Sequence, residues 1–120
     1  MTSKHLLKID EDNFDREVKA SELPVLLEFS AAWCAPCKAL LPILERIADD
    51  HADRVRVAAV DIDDSPGLAQ RFKVRGAPTL VVLRGGVEIA RQLGTTTRGR
   101  LLEMLGIGAS GPVVGARATG

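Results

Sequence analysis

Cys34 and Cys37 are the only two cysteines in the 120-residue chain, and they stand three positions apart in Trp33-Cys34-Ala35-Pro36-Cys37-Lys38. Two thiols at that spacing, placed at the mouth of a helix, close a small disulfide ring. Exchange with another disulfide requires a thiolate, and so a thiol pKa drawn toward neutrality. The apolar run Val25-Leu26-Leu27-Glu28-Phe29 reads as a buried strand ending near Ser30, and a helix begins near Cys34. That order places the first sulfur at a helix N-terminus, where unpaired amides and the helix dipole favour negative charge. Cys37 falls one turn deeper, suited to attack a mixed disulfide from within. Pro36 restricts the loop at a position a helix tolerates. The same pair also fits half of a zinc site. Zinc takes about four ligands, and the two histidines, His5 and His51, show no ligand spacing to the cysteines. Catalysis, redox sensing and a metal shared between two chains all stay open on these residues alone.

Glu28 is the second residue with chemistry in it. A carboxylate inside a buried strand costs several kcal/mol when ionised and unpaired, so its pKa is expected to rise. The alternative is a carboxylate that points to a sheet edge and meets an arginine.

The elements that must position these groups alternate. Residues 5–9 read as an edge strand and 12–20 as a helix. After the cysteines, Leu40, Ile43, Leu44, Ile47 and Ala48 mark one helical face, with Pro42 inside it as a kink. Residues 54–61 form a second buried strand, and Ser65-Pro66 open a short helix to about Phe72. Residues 79–83 and 87–91 flank Gly85-Gly86, a hairpin signal. Thr97 caps a last helix through Leu105. The order β-α-β-α-β-α-β-β-α implies a mixed central sheet of about five strands, a parallel core plus a C-terminal antiparallel hairpin, flanked by about four helices. Residues 1–105 are expected to form one domain. From Gly106 to Gly120 there are five glycines and no periodicity, which reads as a flexible tail.

The totals exclude several classes. Sixteen Lys/Arg balance sixteen Asp/Glu, so no global field favours nucleic acid or an anionic membrane. The balance is uneven along the chain: residues 1–65 hold 8 basic and 14 acidic side chains, residues 66–120 hold 8 and 2. No apolar run approaches the roughly 20 residues of a membrane span, and the first residues carry no secretory signal pattern. The expectation is a soluble cytoplasmic monomer, where two cysteines are catalytic, redox-sensing or metal-binding rather than a staple.

These motifs together resemble the thioredoxin family. Its Trp-Cys-Gly-Pro-Cys-Lys stands here as Trp33 to Lys38, with Ala35 for glycine. Phe29, Ala31 and Pro42 match, as does Val74-Arg75-Gly76-Ala77-Pro78-Thr79 and the glycines at Gly86 and Gly94. The resemblance covers about residues 5–105. It implies the thioredoxin fold, with Cys34 the exposed nucleophile and Cys37 the resolving thiol of a protein-disulfide reductase that carries electrons without a metal or organic cofactor. It implies that Pro78 follows a cis bond, and that Trp33, Gly76, Ala77, Pro78 and Gly94 line an apolar patch for an extended substrate segment. Ala35, Pro36, Lys38 and Pro42 then support the site, and Glu28 exchanges protons with Cys37. The implied partners are protein disulfides and a flavin-dependent thioredoxin reductase.

Three positions depart from the family pattern. Ala59 stands where a lysine commonly accompanies the buried acid, Ser30 replaces a tryptophan near the active-site loop, and Ala35 replaces glycine. A disulfide oxidase or isomerase uses the same residues at a higher potential. A binding module uses the groove around Trp33 and Pro78 without needing the thiols.

Overall fold

The computed structural model describes residues 5–107. Five strands, β1 (Leu6–Ile9), β2 (Val25–Ser30), β3 (Arg56–Asp61), β4 (Thr79–Arg84) and β5 (Val87–Leu93), form one sheet in the order β1-β3-β2-β4-β5. β3 pairs in parallel with β1 and β2, whereas β2–β4 and β4–β5 are antiparallel. The helices are α1 (Ala35–Asp50), α2 (Pro66–Arg71) and α3 (Arg98–Met104).

Period-two alternation in the strands sends side chains to two cores. Leu26, Val57, Leu80 and Val82 pack with Leu40, Leu44 and Ile47 of α1 and Leu101 and Leu102 of α3. Leu27, Phe29, Val60 and Val81 face the other way, onto Phe14, Val18, Leu68 and Phe72. β2 lies in the middle of the sheet and is buried on both faces, which is why its sequence reads as a continuous apolar run. The expected mixed sheet with helices on both faces is the observed one.

Three details refine the expectation. The helix expected over 12–20 is a single π-helical turn, Asp15–Lys19, closed by Ala20 N–H donating to the Asp15 carbonyl at 2.9 Å. The cause lies just upstream: Asp10 Oδ1 accepts from the amides of Asp12 and Asn13, and Asn13 Oδ1 accepts from the amide of Asp10. Such side-chain bonds compete with a helix for the same backbone groups. α1 continues through Pro42, which removes the amide that would have bonded the Lys38 carbonyl. Ser65 precedes α2 as expected but its side chain makes no capping hydrogen bond, whereas Thr97 Oγ1 accepts from Arg100 N–H at 3.1 Å.

Gly85 and Gly86 have φ of 59° and 81°, the paired positive values that a two-residue hairpin turn demands. At the end of α3, Gly106 (φ 77°) donates to the Glu103 carbonyl and Ile107 to that of Leu102. Those two bonds are a Schellman motif, and Ile107 packs on the α1–α3 core. The rest of the expected 106–120 tail lies outside the described residues.

Candidate active site

β2 and β3 run in parallel, with Ser30 opposite Asp61, and Ile62 N–H donates to the Ser30 carbonyl at 2.9 Å. The loops that leave their C-terminal ends therefore start side by side, the place where open α/β sheets gather functional groups. The first loop turns through Ala31, whose carbonyl accepts from Cys34 N–H at 3.1 Å, and delivers Cys34 as the N-cap of α1. Cys34 is extended (φ −95°, ψ 103°), and its Sγ accepts the N–H of Cys37 at 3.2 Å. Ala35 and Pro36 occupy the first two helical positions, so the missing proline amide leaves no bond unmade. Cys34 and Cys37 are joined as a disulfide with their Cα atoms 5.3 Å apart.

The two cysteines differ less in exposure than expected: each is 3 % exposed. In the disulfide form both are covered by the same small apolar shell, Ala31, Ile62 and Ala77. Lys38 and Ala35 are exposed beside them.

Trp33 is 66 % exposed, so it is not a core residue. Its indole N–H donates to Asp63 Oδ2 at 2.9 Å. Asp63 is held in turn by the turn after β3, where Asp61 Oδ1 accepts from the amides of Asp63 and Asp64. Sequence reading overlooked Asp63 and Ile62. The available signal was their position directly after the strand that pairs with β2.

Glu28 is 2 % exposed in the centre of β2, and its Oε2 finds no hydrogen-bond partner among the described residues. It shares a sheet face with Leu26, the face covered by α1 and α3. Its neighbours across the ladders are Ala59 and Leu80, neither of which offers a charge. Burial alone pushes the carboxyl from 4.5 to about 7. The edge-and-arginine alternative is not what the structure shows.

The Ala77–Pro78 peptide bond is cis. Gly94 (φ 78°) donates its amide to the Pro78 carbonyl at 2.9 Å, and Thr79 Oγ1 donates to that of Gly76. An open cavity of about 450 Å³ is lined by Gly76, Ala77, Pro78 and Gly94, and also by Lys73, Arg75 and Arg91. Ala77 belongs both to this lining and to the shell over the disulfide. Trp33 is not part of the lining. The patch expected to be apolar thus also carries three cationic side chains, and no local sequence pattern marks Lys73 or Arg91. Among the described residues no three His, Cys, Asp or Glu side chains are grouped to hold a metal ion. His5 Nδ1 instead lies 3.0 Å from Asp49 Oδ1, and His51 ends α1, its N–H donating to the Ile47 carbonyl.

Comparison with known proteins agrees with this geometry. The thioredoxin family model matches residues 5–106. A thioredoxin of Acidithiobacillus ferridurans is 41 % identical over 86 % of this chain and 95 % of its own length. One of Allochromatium vinosum is 37 % identical over 86 % of this chain and 96 % of its own. A bifunctional thioredoxin reductase/thioredoxin of Mycobacterium leprae (strain TN) is 35 % identical over 82 % of this chain, which covers 22 % of that protein. With its matched span, its sheet order and a disulfide at the head of α1, the chain belongs to the thioredoxin family and is a thiol–disulfide oxidoreductase that reduces protein disulfides.

Proposed function

We propose that Cys34 is the attacking thiol, Cys37 the resolving thiol, and Glu28 the group that takes and returns the Cys37 proton. The observation that carries the assignment is the N-cap position of Cys34, whose sulfur accepts the Cys37 amide at the positive end of a 16-residue helix. A thiolate there is stabilised by that amide and by the dipole. In the reduced protein the Cys34 thiolate attacks one sulfur of a substrate disulfide and expels the other as a thiolate. Cys37, its proton passed toward the Glu28 carboxylate, then attacks Cys34 Sγ and expels the second substrate sulfur. Two electrons move to the substrate and the Cys34–Cys37 disulfide remains. Glu28 suits the proton step because a group with a pKa of about 7 is available in both forms at neutral pH.

The substrate segment lies extended past Trp33 and along Ala77, Pro78 and Gly94, pairing its backbone beside Ala77. The two thiols are the whole redox centre, so no cofactor is invoked. The proposed source of electrons is a thioredoxin reductase, an activity joined to thioredoxin in the name of the M. leprae relative. The proposed setting is the cytoplasm, where the pair is kept as a dithiol; among the described residues no helix is long and apolar enough to cross a membrane. The protein acts as a monomer.

Equilibration of the pair against dithiothreitol and glutathione buffers tests this reading. A reductant has a potential below the glutathione poise, near the roughly −270 mV of thioredoxins. A value near −120 to −180 mV, the range of oxidases and isomerases, contradicts it.

A further inference from the structure

The charged side chains that line the cavity beside the disulfide are all of one sign. Of the residues that line it, Lys73, Arg75 and Arg91 are cationic and none is acidic. Arg91 is already occupied: it donates to Glu88 at 2.7 and 2.9 Å and to the Phe72 carbonyl at 2.7 Å. Those bonds tie β5 to the segment that carries Lys73 and hold the cavity wall in shape. Lys73 and Arg75 are exposed and form no ion pair among the described residues.

Lys73 is also an unusual residue for its place. α2 ends in a Schellman motif, with Lys73 N–H donating to the Gln70 carbonyl and Val74 N–H to that of Ala69. The residue at the turning point needs a positive φ, and Lys73 has one of 57°. α3 ends in the same motif and uses Gly106 at the equivalent point. Glycine adopts this conformation freely and a side chain pays for it. The chain keeps a lysine, and the lysine lines the cavity.

We infer that this cavity receives an acidic stretch of the substrate, an extended polypeptide segment with Asp or Glu beside the target cysteine, held by Lys73 and Arg75. Ala77 bridges the cavity and the disulfide, so a segment whose cysteine reaches Cys34 runs directly into these two cations. Asp63, bonded to the exposed Trp33, and its chain neighbour Asp64 are exposed, lie outside the cavity lining and repel the same charge. An acidic flank of the segment is therefore favoured toward Lys73 and Arg75 and disfavoured toward Asp63. The inference rests on the reductase reading above.

Two disulfide peptides that differ only in flanking Asp/Glu against Asn/Gln provide the test. At about 10 mM salt the acidic peptide is expected to show a kcat/KM at least about fivefold higher, and the ratio should fall toward one near 1 M salt, where exposed charges are screened. In a Lys73→Asn, Arg75→Gln protein the ratio should be close to one at low salt. Asparagine accepts a positive φ, and a ratio taken within one protein cancels any general loss of activity. Arg84→Gln removes an exposed charge outside the cavity and should leave the preference intact. Equal rates for the two peptides in the parent protein, or a preference that the double variant retains, overturns the inference while leaving the reductase intact. Failure to reduce either peptide counts against the reductase reading itself.

Discussion

Glu28 stands directly across the parallel β2–β3 ladder from Ala59, so the buried carboxyl faces a methyl group rather than a cation. The next residue in that row is Lys8 on β1. With strands about 4.8 Å apart, Lys8 is anchored roughly 10 Å from the Glu28 backbone, and its side chain is exposed. Desolvation meets no countering charge, and the carboxyl titrates near neutrality.

This pairing makes stability depend on pH in a defined window. Glu28 ionises near 4.5 in the unfolded chain and near 7 in the folded one. As the pH rises from 4.5 to 7 the unfolded state loses its proton first and is favoured. The folded protein should lose about 3 kcal/mol across that interval and nothing further above it. Glu28→Gln should flatten this slope and be about 1–2 kcal/mol more stable at pH 8, part of the gain being offset by the buried amide. Urea unfolding at a series of pH values checks both statements. An unchanged slope in Glu28→Gln would mean that another group titrates. The pH–rate profile for disulfide reduction should also lose its inflection near 7, and an untouched profile removes Glu28 from the proton path.

Placing a cation at the facing position should reverse the effect. In Ala59→Lys the ammonium sits on the same sheet face as Glu28, and an opposite charge at close range lowers a carboxyl pKa by about 1–3 units. Carboxyl titration followed by NMR should move down by at least about one unit. A pKa that stays near 7 would show that the introduced lysine turns away to solvent.

Trp33 and Asp63 are coupled across the two loops by a single exposed hydrogen bond. Asp63→Ala should cost less than about 1 kcal/mol of stability, as exposed contacts do. It should nonetheless free the indole. Fluorescence anisotropy of the sole tryptophan is expected to fall, with kcat/KM for a protein disulfide down by about two- to fivefold, within what one exposed hydrogen bond supplies. Unchanged anisotropy would mean that packing, not Asp63, orients the ring.

Lys73 exchanges stability for charge. Lys73→Gly should raise unfolding stability by about 1 kcal/mol, because glycine relieves the positive-φ conformation. A loss of stability instead would show that the lysine stem packs usefully on its surroundings.

The strands, the helix after the cysteines and the Gly85-Gly86 hairpin were legible in the sequence because each is announced by local pattern. Val25–Phe29 is uninterrupted because β2 is central, and Leu40, Leu44 and Ile47 recur at helical spacing because α1 has one covered face. The π-helical turn at 15–19 was not legible, since it is decided by side-chain bonds of Asp10 and Asn13 that override a helical-looking stretch. Within the site, Cys34, Cys37 and the buried state of Glu28 follow from short-range order. Asp63, Lys73 and Arg91 do not, because they come from segments far from Cys34 in sequence, and only the folding of the sheet in the order β1-β3-β2-β4-β5 brings them near it. The equal burial of the two cysteines belongs to their joined state and leaves no trace in composition.

The most direct measurement is to trap the exchange intermediate. A Cys37→Ser protein, reduced and then mixed with a disulfide-containing protein substrate, should accumulate a one-to-one mixed disulfide that peptide mapping places at Cys34, and a Cys34→Ser protein should accumulate none. Absence of the adduct in Cys37→Ser, or its formation through Cys37 when Cys34 is replaced, would contradict the assignment of Cys34 as the attacking thiol.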